Sequence, residues 1–423
     1  MSKSLLIRGV VPFLLVLAQE ACAANFTVTT TQDVGPGSLR DAILQANNDP
    51  LPPVIIDFNV PPPLLTAAGV AVIRPRTPLP VIQNIHGLGV QIDGYTQPGS
   101  SFAAGNPSSL VVTVELDGSL IPAPYIPPPP PAPQFAHGLY IMSSNNRVQG
   151  LCVHSFPHDG ISIQGILPGP AKHPGSNGNQ IYGNLVGTDV RGMAAMPNGH
   201  DSAAGLWGGI YVKVLPNSPG IALGNHILEN VASGNTVEGI GISNCPDVGD
   251  VANNRVERCY VGIDITGGGL LGNGHQGVYI GEGAHHNLIE QNWIGGNGFD
   301  GVGIVGYGPS GWITHSNTLN QNRIGVDVNL NPMPNKWHGV AVGSYGGTVW
   351  GFAPDNVITN NTIAWNIRTG VAVTEARPVG DNDTSRNRIT QNAIHHNGHI
   401  DPGYLGIDLD FEPGVTPNDP GDA

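Results

Sequence analysis

An octapeptide of the form Asn-x-Φ-(four residues)-Φ, with Φ apolar, occurs eight times between residues 146 and 394. The copies are 146-NRVQGLCV, 179-NQIYGNLV, 225-NHILENVA, 254-NRVERCYV, 287-NLIEQNWI, 317-NTLNQNRI, 356-NVITNNTI and 387-NRITQNAI. Each is followed by a Gly-Φ-x-Φ element: 160-GISI, 209-GIYV, 239-GIGI, 277-GVYI, 301-GVGI, 339-GVAV, 370-GVAV and 406-GIDL. Both halves alternate apolar with polar residues and favour Val and Ile, the pattern of short strands. Strands this short cannot stand alone. A stack of like coils gives each a parallel neighbour above and below and builds one column of inward Val, Ile and Leu. The repeat therefore predicts an all-β right-handed parallel β-helix, two strands per unit, rising about 4.8 Å per coil. The repeated Asn suits a turn where its amide bonds the backbone and tolerates left-handed φ, and stacked amides can bond one another.

The repeats account for residues 138–411, and the segments before them read as an end cap with the first rungs. In 38-SLRDAILQAN-47, Ser38 is a good N-cap, and Leu39, Ala42, Ile43 and Ala46 form one apolar stripe. Such a helix would close the end of the solenoid and shield its unpaired strand edge. The stretches 54-VIIDF-58, 90-VQIDG-94 and 110-LVVTVELDG-118 read as opening strands, all within 25–137. The run 127-PPPPPAP-133 reads as a stiff surface excursion. Residues 1–24 carry Lys3 and Arg8, a short apolar core and 21-ACAA-24, the pattern of a secretory leader; the expected location is secreted or cell-surface. Residues 412–423 read as a tail.

Removing that leader leaves 15 Lys+Arg against 30 Asp+Glu. A net negative field of this size disfavours nucleic acid and anionic membranes, and no stretch is long and apolar enough for membrane insertion. The 60 Gly and 38 Pro fall at regular places among 40% hydrophobic residues, which argues order. Of Cys152, Cys245 and Cys259 at most one pair can form, Cys245–Cys259 being the nearer in sequence. A monomer is expected.

The segments 35-GPGSLRDAILQAN-47, 92-IDGYTQPG-99, 186-VGTDVRGMAAMPNG-199 and 405-LGIDLDFEPGVTPNDPGDA-423 resemble those of secreted bacterial right-handed β-helix repeat proteins of the pectate-lyase-like superfamily. The resemblance spans nearly the whole chain. It implies the fold, secretion and a polysaccharide partner, with lyase and hydrolase chemistry and non-catalytic surface proteins all represented in the wider group.

Connections within the units alternate. Units two, four and six have long loops opening with 187-GTD, 262-GID and 325-GVD, which would rise from one edge as a wall beside a groove. Three roles are open to Asp189, Asp264 and Asp327 at its foot: Ca²⁺ ligands, a general acid/base pair, or caps of the loop backbone. Recurrence in every long-loop unit favours the cap. The non-repeating residues mark the chemistry. Lys336, His338, His275 and Asp264 are the candidate catalytic groups, His or Lys serving as a base. Trp337, Trp207, Lys213 and His200 are the candidate substrate-binding groups, the Trp faces stacking on sugar; Asp201 lies beside them. His285-His286, His395-His396-His399, His137, His154 and His158 lack zinc-site spacing and read as outward, solvated side chains. The expectation is a carbohydrate-active protein, a polysaccharide lyase or hydrolase with Ca²⁺ the one cofactor to consider; the alternative is a non-catalytic structural or adhesive β-helix.

Overall fold

The computed structural model describes residues 24–127, 135–166, 175–201, 208–214, 219–244, 249–306, 312–343, 352–373, 384–398 and 404–409. Three long parallel sheets run the length of the chain, with eleven, ten and nine strands, here sheets 1, 2 and 3. All eight octapeptides contribute to sheet 1, preceded there by Ala24–Val28, Val54–Phe58 and Val90–Asp93. The helix Leu39–Asn48 buries Leu39, Ala42, Ile43 and Ala46 as its stripe predicts, and Ser38 Oγ accepts from Asp41 N at 3.2 Å.

Each coil holds three strands, one more than the pattern predicts. In the third unit, His226–Leu228 lies in sheet 1, Val231–Ala232 in sheet 2 and Ile240–Ser243 in sheet 3. The octapeptide itself bends, because Glu229 between its halves takes φ 54°. Ile227, Ala232, Ile240 and Ile242 point inward and join one continuous core.

Asparagine occupies all three corners. One ladder runs Asn146–Asn179–Asn225–Asn254–Asn287–Asn317–Asn356–Asn387, each amide donating to the next Oδ1 at 2.7–3.2 Å. A second joins Asn184 to Asn230 and Asn292 to Asn322, Asn361 and Asn392; a third runs from Asn198 to Asn397. The left-handed φ falls not on these asparagines but on the residue before them, as at Asn145, Asn253, Gln291, Gln321 and Asn360. Cys259 takes an asparagine place in the second ladder. It is a buried free thiol; Cys245, the nearer cysteine in sequence, lies outside the described residues.

The ladders yield a direct prediction. Asn322 Oδ1 accepts from Asn292 N and Nδ2 at 3.1 and 2.9 Å, while its own amide serves Asn361 and the Ile289 carbonyl. Asn322→Ala strands the Asn292 N–H in the core and should cost about 2 kcal/mol, from a range of about 1–3 per orphaned group. Urea denaturation reads it as a lowered midpoint.

The glycine opening each sheet-3 strand is dictated by packing. A Cβ on Gly239 would lie 2.7 Å from Val261 Cγ1 and 2.6 Å from Asn273 Nδ2, and one on Gly277 would lie 2.6 Å from Ile294 Cγ2.

The long loops do not stand as a free wall. Val190, Ile263, Ile265, Val328 and Met333 join a second apolar layer with Leu185, Val231 and Tyr260 of sheet 2, so the loops fold down over its outer face. They also hold one another, Ile265 N donating to Gly192 O at 3.0 Å and Val328 N to Gly267 O at 3.1 Å. No helix among the described residues is long and apolar enough to cross a membrane.

Candidate functional site

The corner entering sheet 3 carries two side-chain columns. The residue just before the strand-opening glycine is His137, Asp159, Glu238, Gln276, Asp300, His338 or Thr369 in seven of the nine sheet-3 strands, each at most 3% exposed, and Gly208 or Leu405 in the other two. One residue earlier runs an outer column that is half-buried over His275, Phe299, Trp337, Arg368 and Tyr404. Its rings stack: His275 on Phe299 at 4.7 Å and 13°, and Phe299 on Trp337 at 3.8 Å and 24°. The Arg368 guanidinium follows, 3.7 Å from the Trp337 ring centre and 5.6 Å from that of Tyr404.

Strand alternation aims Ile210 and Val212 into the core and Tyr211 and Lys213 out of sheet 3, where both are nonetheless buried. They organise two linked groups. Tyr211 Oη donates to Glu238 Oε2 at 2.8 Å, and Glu238 Oε1 lies 3.3 Å from His275 Nδ1. The bond to Glu238 raises the His275 pKa against the opposing effect of burial. In the second group Lys213 Nζ sits 2.5 Å from Asp159 Oδ2, which also lies 3.3 Å from His137 Nδ1. Burial pushes the Lys213 ammonium down and the Asp159 carboxyl up, each opposed by the charge of the other. Lys213 Nζ also lies 4.4 Å from the Tyr211 ring centre, a cation–π contact that joins the two groups.

Chemically, the first group is a base held by a carboxylate. Glu238 Oε1 faces Nδ1 across a 3.3 Å ion-pair contact, which leaves Nε2 of the 39%-exposed His275 side chain as the nitrogen able to exchange a proton with a ligand. Phe299 fixes the plane of the ring.

The expected four-residue centre does not assemble. Asp264 Oδ1 accepts from the N–H groups of Thr266 and Gly269, both at 3.0 Å, and from Thr266 Oγ1. Asp189 Oδ1 binds Met193 N and Ala194 N in the same way, and Asp327 Oδ1 binds Asn329 N and Asn331 N. Each carboxylate caps its own loop. Among the described residues no group of three or more His, Cys, Asp or Glu side chains is arranged to hold a metal ion. Lys336 is exposed on its loop, anchored through its backbone N–H to Asn297 O. His338 is 1% exposed, and burial lowers its pKa to about 3, so it is a neutral packing group. Trp337 has its faces occupied by Phe299 and Arg368 and offers an edge rather than a stacking platform. Lys213 projects from the sheet as its spacing suggests, but into the ion pair. His200 is exposed, and Asp201 instead accepts from Tyr125 N at 2.7 Å. Trp207 lies outside the described residues. His137, His154 and His158 are buried rather than solvated.

Asp159, Glu238 and Tyr211 are the residues that sequence reasoning missed. A signal was present: the position before each strand-opening glycine changes chemistry from coil to coil, whereas the corner asparagines repeat.

The buried histidines set a pH dependence for stability. Burial lowers His158 to about 4 and His338 to about 3 from an ordinary 6.5. Both stay neutral in the folded chain while the unfolded chain protonates them. Their contribution is therefore present above pH 6.5 and is lost as pH falls toward those folded values. Between pH 6 and 5, each should remove roughly 1 kcal/mol, and the urea midpoint should fall accordingly. The double variant His158→Gln/His338→Gln should flatten that slope.

A family model described as "Right handed beta helix region" matches residues 270–416. Among solved structures, the Dettilon tailspike protein superposes with a TM-score of 0.50 at 14% identity, over 91% of this chain and 59% of its own. This chain thus spans less than two thirds of that protein's length. The Azotobacter vinelandii mannuronan C-5 epimerase AlgE4 A-module is similar at a TM-score of 0.35 and 15% identity, covering 93% and 100%. The catalytic domain of a GH87 α-1,3-glucanase gives 0.36 and 11%, covering 91% and 66%. No curated protein matches by sequence. The protein is a right-handed parallel β-helix. This is the fold that the resemblance to the pectate-lyase-like superfamily implies.

Proposed function

We propose that the protein acts on an extended polysaccharide lying across the coils at the edge of sheet 3, with His275 exchanging the proton. The observation that carries this reading is the Tyr211–Glu238–His275 chain, which leads from a buried sheet face to a half-exposed imidazole. A solenoid does not need it: at the position of Tyr211 the neighbouring coils place Ser162 and Gly241. With Glu238 holding Nδ1, neutral His275 takes a proton at Nε2 and Glu238 stabilises the imidazolium that forms. On a uronate the proton comes from the carbon α to the carboxylate and is handed on to the departing glycosidic oxygen, giving elimination; on a neutral glycan it comes from an attacking water, and the departing oxygen takes its proton from solvent. The leader pattern of residues 1–24 supports a site of action outside the cytoplasm.

The continuous asparagine ladders favour a second reading, a non-catalytic extracellular spacer or adhesin. A panel of alginate, polygalacturonate and neutral glucans separates the two. Ultraviolet absorbance reports elimination, new reducing ends alone report hydrolysis, and each assay is run with calcium and with EDTA. Cleavage of any member supports the enzyme reading, and none under either condition favours the spacer.

A further inference from the structure

A second site lies on sheet 2, away from the edge of sheet 3. Tyr260, Trp293, Arg323 and Thr362 are in register on successive coils, and beside them opens a cleft of about 400 Å³. Arg258, Gln291, Trp293, Gln321, Arg323 and Asn360 line it, and among the described residues no carboxylate does, in a chain of net charge −14.

The corner before sheet 2 explains why the cleft is polar. The first two repeats place Gly150 and Gly183 there, because a Cβ would lie 2.7 Å from Tyr95 N or Tyr95 Oη in the covering N-terminal segment. Beyond that cover, Arg258, Gln291, Gln321 and Asn360 take the same left-handed position, at φ 50–57°. Non-glycine residues there cost roughly 1–2 kcal/mol each, so long polar side chains are retained at a cost that the coil geometry does not require. Arg258 is committed to Glu229 and Glu257. Arg323 lies 4.9 Å from the Trp293 ring centre and has no carboxylate partner among the described residues. Gln291 Nε2 donates to Gln321 Oε1 at 3.0 Å, which couples two of the cleft's amides, while Asn360 Nδ2 donates to Asn320 Oδ1 at 3.1 Å.

We propose that this cleft is an accessory binding site for a saccharide bearing an oxyanion, a carboxylate or a sulfate ester. Arg323 supplies a planar fork of N–H donors to the anion, and the amides of Gln291, Gln321 and Asn360 bind sugar hydroxyls. The site stands whether or not His275 catalyses anything.

Calorimetry on the full chain tests it with oligogalacturonate, a sulfated heparin-type oligosaccharide, a malto-oligosaccharide of equal length and inorganic sulfate. One or both anionic oligosaccharides should bind, more weakly as salt rises. Arg323→Gln, with an unchanged circular-dichroism spectrum, should weaken that binding at least tenfold, while His275→Ala should leave it intact. Equal binding of the neutral oligosaccharide, sulfate binding as tightly as the sulfated sugar, or unchanged affinity in Arg323→Gln would overturn the proposal. If Arg323→Gln misfolds, Gln321→Leu is the substitute, with an expected severalfold loss. Binding lost in His275→Ala but kept in Arg323→Gln would move the anion to the sheet-3 edge and overturn the accessory site alone.

Discussion

His275→Ala should lower glycan turnover by about 10²–10⁴-fold, the usual contribution of a positioned general acid or base. The imidazole alone combines solvent access with a carboxylate partner in the outer column, so no neighbour replaces it. Glu238→Gln keeps the shape of the group but removes the charge that holds Nδ1 and supports the imidazolium. It should lose less, on the order of tenfold to a hundredfold. Tyr211→Phe removes only the bond to Glu238 Oε2 and should be milder still. Unchanged turnover in His275→Ala, measured on whichever polysaccharide of the panel is cleaved, would remove the imidazole from the reaction.

Lys213→Met should destabilise the fold by about 3–5 kcal/mol, because it leaves the Asp159 carboxylate buried without its cation. Asp159 is 0% exposed, and its remaining partners are the Gly208 N–H at 3.1 Å and a buried imidazole. The double variant Lys213→Met/Asp159→Leu should recover much of that loss, since an apolar pair of similar volume escapes the desolvation penalty. Thermal and urea unfolding of the two single variants and the double variant close the cycle. If the losses of Lys213→Met and Asp159→Leu simply add to that of the double variant, the pair contributes no coupling. The account of the second group is then wrong.

The fold was largely legible because it rests on repetition. The Asn-x-Φ register placed every sheet-1 strand of the eight units, and the stripe Leu39, Ala42, Ile43 and Ala46 marked the helix and its buried face. The third strand per coil was hidden, because the bend inside the octapeptide is made by left-handed residues as different as Glu229, Arg258 and Gln321. The loops were misjudged for a related reason. Val190, Ile265 and Val328 lie one residue past Asp189, Asp264 and Asp327, and spacing alone does not show them folding onto sheet 2. The candidate site was the least legible part. His275 was found as a non-repeating polar residue, but its partner Glu238 precedes it by 37 positions and becomes its neighbour only through the stacking of coils. Trp337 and His338 carried the same signal as His275, yet burial and stacking give them packing roles.

The most direct test of the central claim is the pH–rate profile of glycan cleavage in the wild type and in Glu238→Gln. His275 must be neutral to accept a proton, so the rate should fall on the acid side through a pKa above the ordinary 6.5, raised first by the bond to Glu238. Removing that charge destabilises the imidazolium, and the acid limb in Glu238→Gln should move to lower pH. An acid limb at the same pH in both proteins would contradict the assignment of His275 and Glu238 as one catalytic unit.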